Sequence, residues 1–190
     1  MTRPYHHGDL RRTLLAAAAE AITEHGPAAL SLRDLARRAG VSHAAPAHHF
    51  GDKAGLLTAL AAEGFTLLAD ELDRTRAAGG GVIDAGVGYV RFAVANRAHF
   101  AVMFQPELLN HHDPELIAAQ SRASGALGAA VATVRDAERR GADARTAGLS
   151  AWSIVHGFAT LWLSGALPGD LGADPEEAAR QVIRPLFARG

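Results

Sequence analysis

From Asp9 to His25 the apolar residues Leu10, Leu14, Ala18, Ala21 and Ile22 return every three or four positions, the spacing that lays one stripe along an amphipathic helix. Gly26-Pro27 stops it. Ser31 with Asp34 three positions on reads as a capping box, since short side-chain oxygens satisfy the free amides of a first turn, and it predicts a second helix from Leu32 to Ala39. Gly40 suits the left-handed backbone that ends a helix, Val41 supplies an apolar plug, and Ser42 is placed to cap a third, short helix reaching about His49. The pattern predicts helix, tight turn and helix in quick succession.

After Phe50-Gly51-Asp52, the stripe Leu56, Leu57, Leu60, Gly64, Leu67, Leu68 and Leu72 predicts a long fourth helix ending near Gly79-Gly80-Gly81. A helix around Asp84 to Arg97 follows, then a short apolar segment from Phe100 to Phe104 and a loop holding Pro106 and His111-His112. Asp113-Pro114 restarts helix, with Asp as the cap and Pro in the first turn, and that helix is expected to reach about Arg140 and stop at Gly141. The next, from about Ala144 to Leu167, carries Leu149, Trp152, His156, Ala159 and Leu163 on one face, and Pro168-Gly169 closes it. A last helix opens at Asp174-Pro175-Glu176-Glu177, acids at the positive end of its dipole, with Val182, Ile183, Leu186 and Phe187 as its apolar residues. No segment reads as a strand. The expectation is an all-α chain of about nine helices: a three-helix head over residues 1–52 joined to a helical bundle over residues 53–190.

Composition supports helices. Of 190 residues 42 are Ala, while aromatics make up only 6%, so the apolar content favours helix over strand. The absence of Cys excludes disulfides, a thiol nucleophile and any Cys-ligated metal. The polar start Met1-Thr2-Arg3-Pro4-Tyr5-His6-His7 and the lack of a long apolar run lead to the expectation of a cytoplasmic protein without a membrane span.

Formal net charge is -1, which at first sight argues against nucleic acid. Residues 1–57, however, hold 7 Lys+Arg against 5 Asp+Glu, leaving 12 against 15 for the rest, so a +2 head is joined to a -3 body. The head also holds six of the ten His, at 6, 7, 25, 43, 48 and 49. Its charge therefore responds to pH near neutrality.

In a helix-turn-helix the second helix enters the major groove with its first residues facing base edges. Such a motif needs small residues where its helices touch, and Ala36, Ala39, Gly40 and Val41 meet that need. Ser42, His43 and Ala44 then stand at the start of the reading helix, with Ala47 and His48 farther along it. Arg33, Arg37 and Arg38 are candidates for backbone contacts, although adjacent residues on a helix cannot all face one partner.

Tyr5-His6-His7-Gly8-Asp9-Leu10-Arg11, Ser31-Leu32-Arg33-Asp34-Leu35-Ala36-Arg37-Arg38-Ala39-Gly40-Val41-Ser42 and His49-Phe50-Gly51-Asp52-Lys53 with Leu56-Leu57 together resemble the TetR family of bacterial transcriptional regulators over about residues 5 to 68. Trp152-Ser153-Ile154-Val155-His156-Gly157-Phe158-Ala159 is similar to the Trp-His-Gly type of ligand-binding domain in that family. The resemblance implies an all-helical homodimer, with three N-terminal helices on a double-stranded DNA operator, middle helices around a small-molecule effector, and the last two helices packed against their copies. It assigns DNA contact to Ser31, Arg33, Arg37, Ser42, His43, Ala44, Ala47, His48 and Lys53, the only Lys in the chain. One departure is Ala47, where the family usually has a phosphate-contacting Tyr; Pro46 inside the reading helix is another.

Phe65, Phe92, Phe100, Met103, Phe104, Trp152 and His156 are the candidates for lining the site of an apolar or amphipathic effector, with Trp162 as a further aromatic. Residues at that spacing form core first and cavity second. The doublets His6-His7 and His111-His112 lack the i, i+4 spacing of helical metal ligands, so no metal is expected. No cofactor is expected either: Gly79-Gly80-Gly81 lacks the flanking strand and Lys-Ser/Thr of a phosphate loop. With no nucleophile, base and acid set in view, an enzyme is the least favoured reading. The rival to a ligand-responsive repressor is a small-molecule-binding or sequestering protein whose operator affinity has weakened, motivated by Ala47.

Overall fold

The computed structural model describes residues 7–132 and 144–187. Among them the chain forms nine α-helices: α1 (His7–His25), α2 (Leu32–Arg38), α3 (Ala45–Phe50), α4 (Lys53–Ala77), α5 (Val82–Ala95), α6 (Arg97–Met103), α7 (Pro114–Ala132), α8 (Ala144–Leu163) and α9 (Pro175–Phe187), with single 3₁₀ turns at Pro106–Leu108 and Gly169–Leu171. No strand occurs among the described residues.

Helix ends follow local chemistry. At the end of α2, Gly40 takes φ +66°, its amide bonds to the Arg37 carbonyl and the Val41 amide reaches Ala36, the paired bonds of a Schellman motif. The same pair closes α4 at Gly79 and α8 at Gly165, where positive φ again requires glycine. Asp113 and Asp174 cap α7 and α9 as the sequence predicts, accepting from the amides of Leu116 and Glu176, both at 2.9 Å.

Several expectations need correction. Ser31 makes no side-chain cap bond, and Asp34 turns instead to Arg37, 3.7 Å away. The reading helix starts at Ala45, not at Ser42; Ala44 is its N-cap and Ser42 accepts only a turn bond from the Ala45 amide. Pro46 falls in the first turn, where its missing amide would have had no intrahelical acceptor, and its ring is buried. The segment around Phe100 is helical, opening at Arg97, and α5 starts at Val82, with the Asp84 carboxylate bonded back to the Gly81 amide. Helix α8 ends at Leu163 and not at Leu167, and its buried stripe is Ala151, Val155, Phe158 and Ala159, so Leu149 lies outside. The expected helix end at Arg140-Gly141, His6, and the side chains of Leu186 and Phe187 lie outside the described residues.

The described chain packs as two units. The first holds the residues up to Gly64 together with Arg97–Ala118; the second holds Phe65–Asn96 and those from Ala119 onward. In the first, Leu14, Ala18 and Ile22 of α1, Leu35 and Ala36 of α2, and Leu56, Leu57 and Leu60 of α4 are buried. Gly64 lets α6 approach, since a Cβ there would lie 2.9 Å from the Cβ of His99 and 2.6 Å from the Met103 sulfur. In the second, α5 is the central element, with Val87, Tyr89, Val90 and Phe92 buried. A Cβ on Gly86 would sit 3.0 Å from Ile183 of α9 and 3.2 Å from Val155 of α8, and one on Gly88 would sit 3.0 Å from Thr75 of α4. Arg91 binds Glu71 at 2.7 Å and Glu176 at 2.5 Å, and Arg180 meets Asp84 at 3.0 Å, so ion pairs bind α4, α5 and α9 at their rim.

Candidate nucleic-acid interface and effector site

In the first unit the short turn at Gly40 sets α2 and α3 side by side, and this brings the sequence-predicted DNA residues onto one compact head. Arg33, Arg37, Ser42, His43, Ala44, Ala47 and His48 are exposed, and Ser31 is half-exposed. Besides Arg37, which faces Asp34, two more basic residues have structural partners. Arg38 binds Glu24 of α1 at 2.7 Å, which removes it from the trio of arginines competing for DNA. Lys53 donates from Nζ to the Ala28 carbonyl at 2.7 Å, tying the start of α4 to the α1–α2 loop. An ammonium has three donors, so this bond leaves capacity for a phosphate. Asp52 caps α4, its carboxylate accepting from the Gly55 amide at 2.8 Å.

Behind this face the first unit is braced by polar contacts. Buried Thr58 donates to the Ala54 carbonyl at 2.7 Å and accepts from the Asn110 amide at 2.8 Å. His99 of α6 meets Glu63 of α4 at 3.1 Å, and that hydrogen bond holds the Glu63 carboxyl below its ordinary range. Phe100 and Phe104 pack edge to face, with centroids 5.4 Å apart.

The candidate effector residues divide between the units. Phe100, Met103 and Phe104 belong to the first; Phe65, Phe92, Trp152 and His156 belong to the second, where Phe65 and Phe92 are buried. The structure adds Tyr89, which sequence reasoning passed over. Its side chain is 1% exposed, and its oxygen accepts from Trp152 Nε1 at 3.3 Å while lying 2.9 Å from His156 Nδ1. The tyrosine hydroxyl can donate to or accept from His156 Nδ1 according to the imidazole tautomer. Burial pushes the Tyr89 phenol up and the His156 imidazole down, so both are neutral at pH 7. A neutral trio of donors and acceptors orients a ligand without demanding an ionic one.

The same unit holds an apolar slot lined by Val82, Ala85 and Gly86 of α5, Leu127, Ala130 and Val131 of α7, Ala151 and Val155 of α8, and Ile183 of α9. Tyr89 follows Ala85 by one turn of α5. The slot holds about 10 Å³, room for no more than a water-sized body. A larger, open hollow of about 520 Å³ is polar, lined by Glu71, Arg74, Thr75, Ala78, Gly79, Gly80, Asp84 and Arg91. Among the described residues no three His, Asp or Glu side chains gather as metal ligands, and exposed His111 and His112 stand in a loop. No described helix is long and apolar enough to cross a membrane.

Residues 14–60 match the family described as bacterial regulatory proteins, tetR family, and residues 82–186 match the tetracyclin repressor-like, C-terminal domain. The chain belongs to the TetR family. The two matched segments coincide with the helix-turn-helix head and with the helices from α5 onward, so this TetR-family protein is a DNA-binding transcriptional regulator by membership. It is similar to a Rhodococcus sp. RHA1 protein of unknown function, at 35% identity over 99% of this chain and 100% of that one, with a TM-score of 0.76. Its fold is also that of the transcriptional regulator FadR from Bacillus subtilis in complex with stearoyl-CoA (16% identity, 93% and 97% covered, TM-score 0.68). A third likeness is to NalD of Pseudomonas aeruginosa, the secondary repressor of the MexAB-OprM multidrug efflux pump (24% identity, 96% of each chain, TM-score 0.63). No curated protein matches the chain.

Proposed function

We propose that this TetR-family regulator is a cytoplasmic, ligand-responsive repressor that binds a pseudo-palindromic operator as a homodimer. Residues 1–52 serve DNA binding, and residues 53–190 serve effector binding and dimerisation. The observation that carries the reading is the exposed set Ser42, His43, Ala44, Ala47 and His48 on α3 and the turn before it, presented by a closed helix-turn-helix on a head more basic than the rest of the chain. Each head takes one half-site, and the half-sites lie about one DNA turn (~34 Å) apart.

The effector is an apolar or amphipathic small molecule, of the same broad chemistry as the stearoyl-CoA with which the Bacillus subtilis regulator is in complex. The apolar slot supplies its burial and the Tyr89, Trp152 and His156 trio its orientation. Because the slot holds only about 10 Å³, a ligand enters by parting α5, α7, α8 and α9, and binding selects that opened state. The ligand can shift the balance between opened and closed states, and with it the DNA affinity, by no more than its own preference between them. Helix α4 carries the signal, being one continuous element from Lys53 to Ala77.

Purified protein mixed with DNA from upstream of its own gene is expected to give a retarded complex that prefers particular sequences and weakens steeply as salt rises. Retardation of all DNA alike, or of none, overturns the proposal.

A further inference from the structure

The exposed side chains of α3 and the turn before it make an unusual reading surface. Ser42, His43, Ala44, Ala47 and His48 face solvent, whereas Pro46 is buried and half-buried His49 keeps its ring on Phe50, centroids 6.2 Å apart. Ala44 already has helical dihedrals, φ -80° and ψ -20°, so positions 43 and 47, and likewise 44 and 48, stand one turn apart on one side. Two methyl groups and two imidazoles therefore form a single patch. From Ser42 to Gly51 there is no Arg, Lys, Asn, Gln, Asp or Glu. Four charged groups near it are engaged: Arg38 with Glu24, Arg37 with Asp34, Lys53 with the Ala28 carbonyl and Asp52 with the Gly55 amide.

This inventory decides which base edges the helix can distinguish. Adenine is read by an amide that donates and accepts side by side, and cytosine by a carboxylate accepting from its N4 amine; the patch has neither. An imidazole carries an N–H donor in both of its protonation states, and when neutral its acceptor lies on the other ring nitrogen, too far round to pair with the donor on one base. Guanine offers two neighbouring acceptors, N7 and O6, and thymine offers a methyl group suited to an alanine.

We propose that this regulator reads its half-site through guanine acceptors and thymine methyls, with His43 and His48 donating to N7 or O6 of guanine and Ala44 and Ala47 packing on the C5-methyl of thymine. The assignment rests on the reading that α3 lies in the major groove.

The full-length protein is used to select double-stranded DNA from a randomised pool, and the enriched half-site is then remade with base analogues. Replacing its guanines by the deaza analogue that lacks N7 is expected to weaken binding by at least about fivefold. Replacing its thymines by uracil is expected to cost about fourfold per contacted methyl, the worth of one buried methyl group. The double variant His43→Ala/His48→Ala is expected to lose the response to deazaguanine and keep the response to uracil. Because the analogues alter only the DNA, a variant that folds poorly leaves the test intact. An enriched half-site indifferent to both analogues overturns this inference and leaves the regulator reading standing; a pool in which nothing is enriched overturns both.

Discussion

The His156 imidazole faces the buried Tyr89 hydroxyl at 2.9 Å, and its desolvation disfavours the charged form. The unfolded chain takes up a proton on this side chain near its ordinary value of about 6.5, whereas the folded protein resists until lower pH. The unfolded state thus binds more protons in that window, and stability falls as pH falls. A melting series from about pH 7.5 to about pH 5.5 is expected to show this decline, and His156→Gln to flatten it; an unchanged slope in the variant would assign the effect elsewhere. Glu63, Asp84 and Glu176, held below their ordinary range by His99, Arg180 and Arg91, lose their contributions only at more acidic pH, so the windows separate. His156 was legible in the sequence as a polar group on an apolar stripe. Tyr89 was not, because its partners Trp152 and His156 lie 63 and 67 positions away and only packing joins them.

Helix ends proved the most readable elements. Gly40 and Gly79 each end a helix with positive φ, as their positions after the apolar stripes predict, whereas α8 closes at Gly165 and not at the expected Pro168-Gly169. Starts were less readable. Ser31 and Asp34 have the residue types and spacing of a capping box, yet Ser31 leaves its hydroxyl out of the cap and Asp34 turns to Arg37, a basic neighbour three positions on in the same helix that competes for its carboxylate. The sequence predicts a helix around Asp84 to Arg97, but two glycines two positions apart, half a turn round the axis, make α5 an element buried on opposite sides, Gly86 against Ile183 and Val155 and Gly88 against Thr75. Gly86→Leu is expected to overpack the junction with α8 and α9 and cost about 1–3 kcal/mol, read by thermal or urea denaturation. An unchanged melting point would show that α5 does not need this close approach.

Dimerisation belongs to the whole molecule. Leu149 and Leu161 on α8 and Val182 on α9 are 56%, 46% and 37% exposed in the single chain, and a Cβ on Gly157 would meet nothing within 4 Å. A row of exposed apolar and small residues on the last two helices is what a self-complementary four-helix interface requires. Leu161→Asp, which would set like charges against each other across such an axis, is expected to give a monomer by light scattering and to abolish operator retardation, since each head then binds alone. A dimer that survives this change would relocate the interface. The near-neutral total charge takes its meaning at this scale too: with a single Lys and few arginines on the head, affinity is expected to depend on joining two heads. Taken by itself, the amino-acid sequence determined the all-helical class, most helix ends and the exposed reading surface, because these rest on periodicity, glycine conformation and residue identity within a few positions. Only the tertiary structure decided that Lys53 and Arg38 brace the head, that Tyr89 bridges Trp152 and His156, and that the apolar slot is closed. Those outcomes depend on which distant side chains compete for the same hydrogen bond or the same volume.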